Sequence, residues 1–75
     1  MDWADHIVAT PDTLHGAPRF RGTRIPVSVV LDSLAAGVSA EDLHRDYPSL
    51  PAEAVPAALG YAADLARDRI VPLSA

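Results

Sequence analysis

Cysteine, lysine, asparagine and glutamine are all absent from this 75-residue chain. Without cysteine there is no disulfide to staple a small fold and no thiolate to hold a metal. Without asparagine or glutamine, the usual bidentate contact to an adenine edge cannot be made. Without lysine every cation is an arginine, six against ten acids, for a formal charge of −4. A chain of that sign neutralises few phosphates, and phosphate neutralisation dominates affinity for nucleic acid. No apolar run reaches the roughly 18 residues of a membrane span. The acidic start MDWAD lacks the positive region that opens a signal peptide. A cytoplasmic, non-membrane protein is expected.

What is present is an apolar fraction of 49%, ordinary for a globular chain. A chain this short buries only about 60% of the surface it exposes when unfolded. Stability must then come from tight packing, oligomerisation or a partner. We read residues 1–75 as one domain: a β arm and turn over 1–25, a trihelical core over 26–70, and a frayed tail over 71–75.

Pro11, Gly16, Pro18 and Gly22 punctuate the first part and favour short extended pieces joined by turns. Residues 6–9 and 18–21 are expected as short strands, pairing in one ladder. From Pro26 the period changes: Val27, Val30, Leu31 and Leu34 share a helical face. Pro26 suits the first helical position and Gly37 stops the helix, giving a first helix over 27–36. Ser39 caps a second helix with Asp42 at its third position, and Val38 with Leu43 forms a hydrophobic staple. Glu41 and Arg45 have the spacing of an ion pair, and Pro48 ends the helix. A third helix runs toward Arg69, with Val55, Ala58, Leu59, Ala62 and Ala66 along one stripe and Leu65 and Ile70 beside it. Pro56 forces a choice: a kinked first turn, or a start nearer Val55. The expected fold class is mainly α, a homeodomain-like or helix-turn-helix three-helix core with a short N-terminal β arm.

One stretch departs from the acidic background. In RFRGTRIPV, residues 19–27, three of the six arginines fall together as Arg19, Arg21 and Arg24. Arg19 and Arg21, two residues apart in extended chain, would project to one side. Such a cluster is a phosphate grip, a docking surface for a protein, or a solvated turn whose arginines pair with nearby acids. The block Arg21-Gly22-Thr23-Arg24-Ile25-Pro26-Val27, with Gly16 and Pro18 before it and Gly37-Val38-Ser39 and Tyr47-Pro48-Ser49-Leu50 after it, resembles a bacterial family of small proteins. This is the domain-of-unknown-function family four-three-three, and the likeness covers about residues 6–65. The resemblance implies a homeodomain-like trihelical fold after a β arm, with no enzymatic activity. It also implies kinship with VapB-type antitoxins, which are encoded beside a PIN-like ribonuclease. Ala17 stands where lysine is common, Pro51 where a capping Thr is common, and Pro56 is unusual.

DNA reading by the helices finds little support. As a recognition helix the third would offer Ala52, Glu53, Pro56, Ala57 and Gly60, none a donor to base edges. The second would offer Glu41, His44 and Arg45. Nucleic-acid or partner contact therefore falls to Arg19, Arg21, Thr23, Arg24 and Arg45. Glu41 and His44 form a single Glu-x-x-His pair, whereas carboxylate-bridged metal bundles need two with further Glu residues. His6 and His15 have no convergent ligands. No nucleophile–base spacing emerges, so no catalytic residue, metal or cofactor is assigned.

The third helix carries more apolar surface than one small core absorbs. Small side chains around Tyr61 let another helix approach, and Trp3, the only tryptophan, is a lid over the core or an interface anchor. The expected partner or dimer interface is Trp3, Ala57, Gly60, Tyr61 and Leu65. By the resemblance, the expected partner is a PIN-like ribonuclease toxin, neutralised by occlusion. A homodimer is the expected assembly, and operator DNA is a second partner through the arginine arm. The competing reading is a stand-alone helix-turn-helix transcription regulator.

Overall fold

The computed structural model describes residues 2–68. The tail expected over 71–75, and the stretch beyond Asp68 that includes Arg69 and Ile70, lie outside the described residues. The fold is mainly α: three helices follow a short two-stranded arm. A 3₁₀ turn at Trp3–Asp5 leads into β1 (Ile7–Val8). A second turn at Leu14–Gly16 precedes β2 (Arg19–Phe20), and helices α1 (Val27–Ala35), α2 (Ala40–Asp46) and α3 (Ala54–Asp68) follow. The strands pair antiparallel, Ile7 with Phe20 and Val8 with Arg19, which turns Ile7 and Phe20 into the core.

Each helix end has a local cause. Pro26 is the N-cap of α1 in an extended conformation, one position earlier than expected. At the other end Gly37 takes φ +90°, donating to the Leu34 carbonyl while Val38 donates to that of Ser33. That crossed pair of bonds is a Schellman stop, which glycine makes at no steric cost. Ser39 caps α2, its hydroxyl accepting from the Asp42 N–H at 3.1 Å. The Asp42 carboxylate does not reach back to complete a capping box. It pairs with Arg45 at 2.7 Å, and this replaces the expected Glu41–Arg45 pair. Tyr47-Pro48-Ser49-Leu50 is a tight turn, with Leu50 N–H donating to the Tyr47 carbonyl and the Leu50 side chain buried.

The difficulty at Pro56 resolves without a kink. Helix α3 begins at Ala54, so Pro56 occupies the first turn, where no intrahelical N–H is required. The Pro51 carbonyl receives the Ala54 N–H at 3.0 Å, so backbone does the work of a capping side chain.

The core is small: Ile7, Phe20, Val27, Val30, Leu43, Leu50, Ala54, Ala57 and Ala58. Three alanines of α3 face it, which brings that helix backbone close to α1. The buried stripe of α3 is thus Ala54, Ala57 and Ala58 with Val55 and Tyr61 packed beside it; of the expected Val55, Ala58, Leu59, Ala62 and Ala66 line, Ala58 is buried and Val55 packs against the core, whereas Leu59 and Ala66 are exposed. Among the described residues no helix is long and apolar enough to cross a membrane.

Candidate functional site

The arginine block is first a piece of architecture. Thr23 N–H donates to the Phe20 carbonyl, and Gly22 between them takes φ +79°, reversing the chain after β2. The Thr23 hydroxyl donates to the same Phe20 carbonyl at 2.9 Å and accepts from the Ile25 N–H at 3.1 Å. The returning strand then pairs with β2 on its free edge: Phe20 N–H meets the Ile25 carbonyl, Val27 N–H meets the Pro18 carbonyl, and Arg19 bridges Pro26. Thr23 is therefore a turn lock, not a free contact residue.

The three arginines divide accordingly. Arg19 is half-buried, its guanidinium donating to the Thr23 carbonyl at 3.1 Å and the Thr10 hydroxyl at 3.4 Å. Its Nε is buried without a hydrogen-bond partner. Arg21 lies in the turn beyond β2, so it does not share a strand face with Arg19 as expected. It is exposed, and its Nε donates to the Asp5 carbonyl at 3.1 Å, tying the turn to the N-terminal segment. Arg24 is exposed and makes no hydrogen bond or ion pair with its side chain among the described residues. Arg45 is exposed and neutralised by Asp42.

A second cluster joins the chain's start to its last helix. The Trp3 indole stands edge-on to Tyr61, ring centroids 5.1 Å apart at 86°. It also lies over Gly60, where a Cβ would come within 3.3 Å of the indole. Its N–H donates to the Asp64 carboxylate at 2.5 Å, and Arg67 pairs with the same carboxylate. The indole N–H lowers the Asp64 pKa most; burial works against this and the Arg67 guanidinium adds to it. Trp3 is thus a lid on α3.

Of the expected interface set, Ala57 is fully buried, because the core lies on its side of α3, and cannot meet a partner. Gly60 is covered by Trp3. Tyr61 and Leu65 do reach the surface, Leu65 at 44% exposure one turn beyond Tyr61. Tyr61 lines an apolar groove of about 220 Å³ with Ala17, Pro18, Val27, Ser28 and Leu31. The groove opens where the segment before β2 meets the start of α1, with α3 as its far wall. Sequence reasoning placed Leu31 on the core face but missed the groove. The available signal was the run of small core residues on α3, which cannot fill the space beneath α1 at that end.

Glu41 and His44 lie one turn apart on α2, away from His6 and His15 in the arm. Among the described residues no three His, Cys, Asp or Glu side chains converge as a metal site would require.

The comparisons agree with the sequence pattern. Residues 7–62 match the family described as "Protein of unknown function (DUF433)". The chain is 46% identical over 56 residues to "Uncharacterized protein y4eO" of Sinorhizobium fredii (strain NBRC 101917 / NGR234), covering 75% of this chain and 25% of that protein. It is also similar to the crystal structure of a DUF433 member protein from Anabaena variabilis ATCC 29413, with a TM-score of 0.73 at 34% identity. That match covers 83% of this chain and 61% of the other, so the chain spans less than two thirds of either relative. The block from the β arm through most of α3 places this chain in the DUF433 family.

Proposed function

We propose that this chain is a protein-binding module that acts by covering a partner, in the manner of an antitoxin on a PIN-like ribonuclease. The observation that carries the reading is the open apolar groove between Ala17–Pro18, α1 and Tyr61, continued along α3 by exposed Leu65. A concave apolar pocket beside an aromatic is the kind of place that takes an anchoring side chain from another protein. Exposed Asp32 on α1 lies next in sequence to Leu31, and Asp12, Glu41, Asp46 and Glu53 add to the exposed acidic surface. Such a surface complements a nuclease cleft built to attract RNA phosphates, and blocks it by occlusion.

Stand-alone DNA reading is the weaker alternative. Its support is Arg21 and Arg24, both exposed around the Gly22 turn. Against it, Pro56, Leu59, Ala63 and Ala66 on the outward side of α3 carry no hydrogen-bonding side chain for a base edge, and the exposed Arg67 beside them is paired with Asp64.

The test is to co-express the chain with a PIN-like ribonuclease encoded beside it, then follow the complex by size-exclusion chromatography and RNA cleavage by gel. A stable complex with cleavage suppressed is expected. Cleavage unchanged at saturating protein, or sequence-selective binding of upstream DNA by the chain alone at moderate salt, overturns the reading.

A further inference from the structure

Strand β1 is paired along one edge alone. Val8 sits opposite Arg19 in the ladder, and the His6 carbonyl accepts from the Arg21 N–H at 2.8 Å. Ile7 lies between these bonded positions, and its cross-strand neighbour Phe20 donates the other way, to the Ile25 carbonyl. Alternation along an antiparallel strand then turns the Ile7 N–H and C=O away from β2, with those of Ala9 on the same edge. Among the described residues these groups of Ile7 and Ala9 have no hydrogen-bond partner. Ile7 is nonetheless only 7% exposed. Backbone groups on so nearly buried a residue are as a rule paired.

The limits of this edge select its occupant. Toward the N-terminus the next outward carbonyl, that of Asp5, already accepts from the Arg21 Nε at 3.1 Å. Toward the C-terminus the next outward position is Pro11, which has no N–H to give. The open stretch is therefore Ile7 to Ala9, with Val8 at its middle, and it is complementary to itself. Laid antiparallel about a two-fold axis at Val8, Ile7 stands opposite Ala9 of a second copy, and Ala9 opposite its Ile7. Each such pair exchanges both backbone bonds, so every open group on the edge is satisfied and nothing is asked of Asp5 or Pro11. The half-buried Val8 side chain meets its own copy at the axis, and the exposed Ala9 methyl lies beside Ile7 of the second copy. Charges commonly blunt such an edge, yet residues 6–10 contain no acid, lysine or arginine.

We infer that the free edge of β1 is a self-association site, where a second copy of this chain adds its own β1 antiparallel across Ile7–Ala9 and joins the two arms into one sheet. A ladder this short buries less than the ~1,200 Å² of a standard stable interface, so the dimer is reversible and concentration-dependent. The apolar groove opens on the other side of β2, where Pro18 meets Val27, so the two surfaces are separate and the dimer does not rest on the ribonuclease reading.

The test uses the full chain alone. Sedimentation equilibrium over a concentration series is expected to show a monomer–dimer equilibrium. Ala9→Pro should weaken it at least about tenfold, because the lost N–H removes a bond from each half of the symmetric ladder. That N–H bonds nothing within the described chain, and Val8 ahead of a proline keeps the extended conformation it already has, so the variant should still fold. Circular dichroism checks this, and Val8→Glu, which sets two carboxylates face to face at the axis, serves as a second disrupting variant. Cross-linking reads the register, since the natural chain has no cysteine. Facing Val8 positions would form a non-hydrogen-bonded pair with Cα atoms about 4.5 Å apart, within disulfide range. Mild oxidation should therefore cross-link Val8→Cys and leave Asp12→Cys, far from the axis, largely monomeric. A chain monomeric throughout the series, a dimer that Ala9→Pro and Val8→Glu leave intact, or Asp12→Cys cross-linking as readily as Val8→Cys would each overturn the inference.

Discussion

The indole N–H of Trp3 donates to the carboxylate of Asp64, 61 residues along the chain, and the ring it holds lies across Gly60 and Tyr61. This one contact fastens the N-terminal turn, and the β arm behind it, to the last helix. A two-stranded ladder is marginal by itself, so the arm depends on that fastening and on Phe20 in the core. Truncating Trp3→Ala should cost about 2–3 kcal/mol, less than for a fully buried tryptophan because the ring is half-exposed. Trp3→Phe keeps most of the packing and loses the hydrogen bond, so its loss should be smaller. Urea unfolding followed by far-UV circular dichroism separates the two; equal losses would mean the ring contributes no packing.

The same bond gives stability a pH dependence. The Trp3 N–H and the Arg67 guanidinium hold the folded Asp64 carboxyl below the ordinary aspartate range. A carboxylate lowered on folding stabilises the native state above its unfolded pKa, and that contribution is lost as pH falls through the folded value. Unfolding midpoints of the natural chain and Asp64→Asn should therefore differ most near neutrality and converge in acid. A difference that persists unchanged below the aspartate range would show that the Asp64 charge is not involved.

Gly60 tests the packing from the helix side. In an exposed helix interior, Gly→Ala gains about 1 kcal/mol from propensity alone. Here the new methyl would press the Trp3 ring at 3.3 Å, tighter than ordinary contact, and the ring is held by Asp64 and Tyr61. Gly60→Ala should be close to neutral in the natural chain, and should stabilise by about 1 kcal/mol once Trp3→Ala has removed the ring. Equal effects in the two backgrounds would mean the indole moves aside freely.

How much of this was legible depended on how local the cause is. Gly37, Ser39 and Pro48 each act within a turn of the chain, and the ends of α1 and α2 fell where those residues put them. The face of α3 was not legible, because a helix with Ala, Leu and Val on all sides gives no unique stripe; the core-facing residues were decided by packing against α1. Ala57 was misplaced for that reason. Leu14 and His15 both take left-handed φ near +53° and +54° ahead of Gly16. Nothing in a Leu-His pair signals a conformation that side chains disfavour. The Trp3–Asp64 contact and the groove join residues far apart in sequence, which no periodicity reports.

Thr23 separates the architectural from the contact reading of the RGTR turn. Its hydroxyl makes one hydrogen bond to the Phe20 carbonyl and takes one from the Ile25 N–H. Thr23→Val loses both and should destabilise by about 1–2 kcal/mol, while Thr23→Ser restores most of the loss. Arg24→Ala, at an exposed side chain that bonds to nothing among the described residues, should change stability by less than about 0.5 kcal/mol. Thermal melts of the three variants decide this. A Thr23→Val protein as stable as the natural chain would free Thr23 for a binding role.

The groove offers the sharpest separation of folding from function. Ser28 sits at its rim in the first turn of α1, exposed, with Val27 buried beside it and Leu31 one turn on along the wall. Ser28→Trp would lay an indole across a space of about 220 Å³, roughly what one anchoring side chain needs. Because the Ser28 side chain is outside the core, stability should change by less than about 0.5 kcal/mol. Inhibition of the partner ribonuclease should fall at least about tenfold, since a filled pocket rejects its anchor. Full inhibition by Ser28→Trp would move the binding surface off the groove.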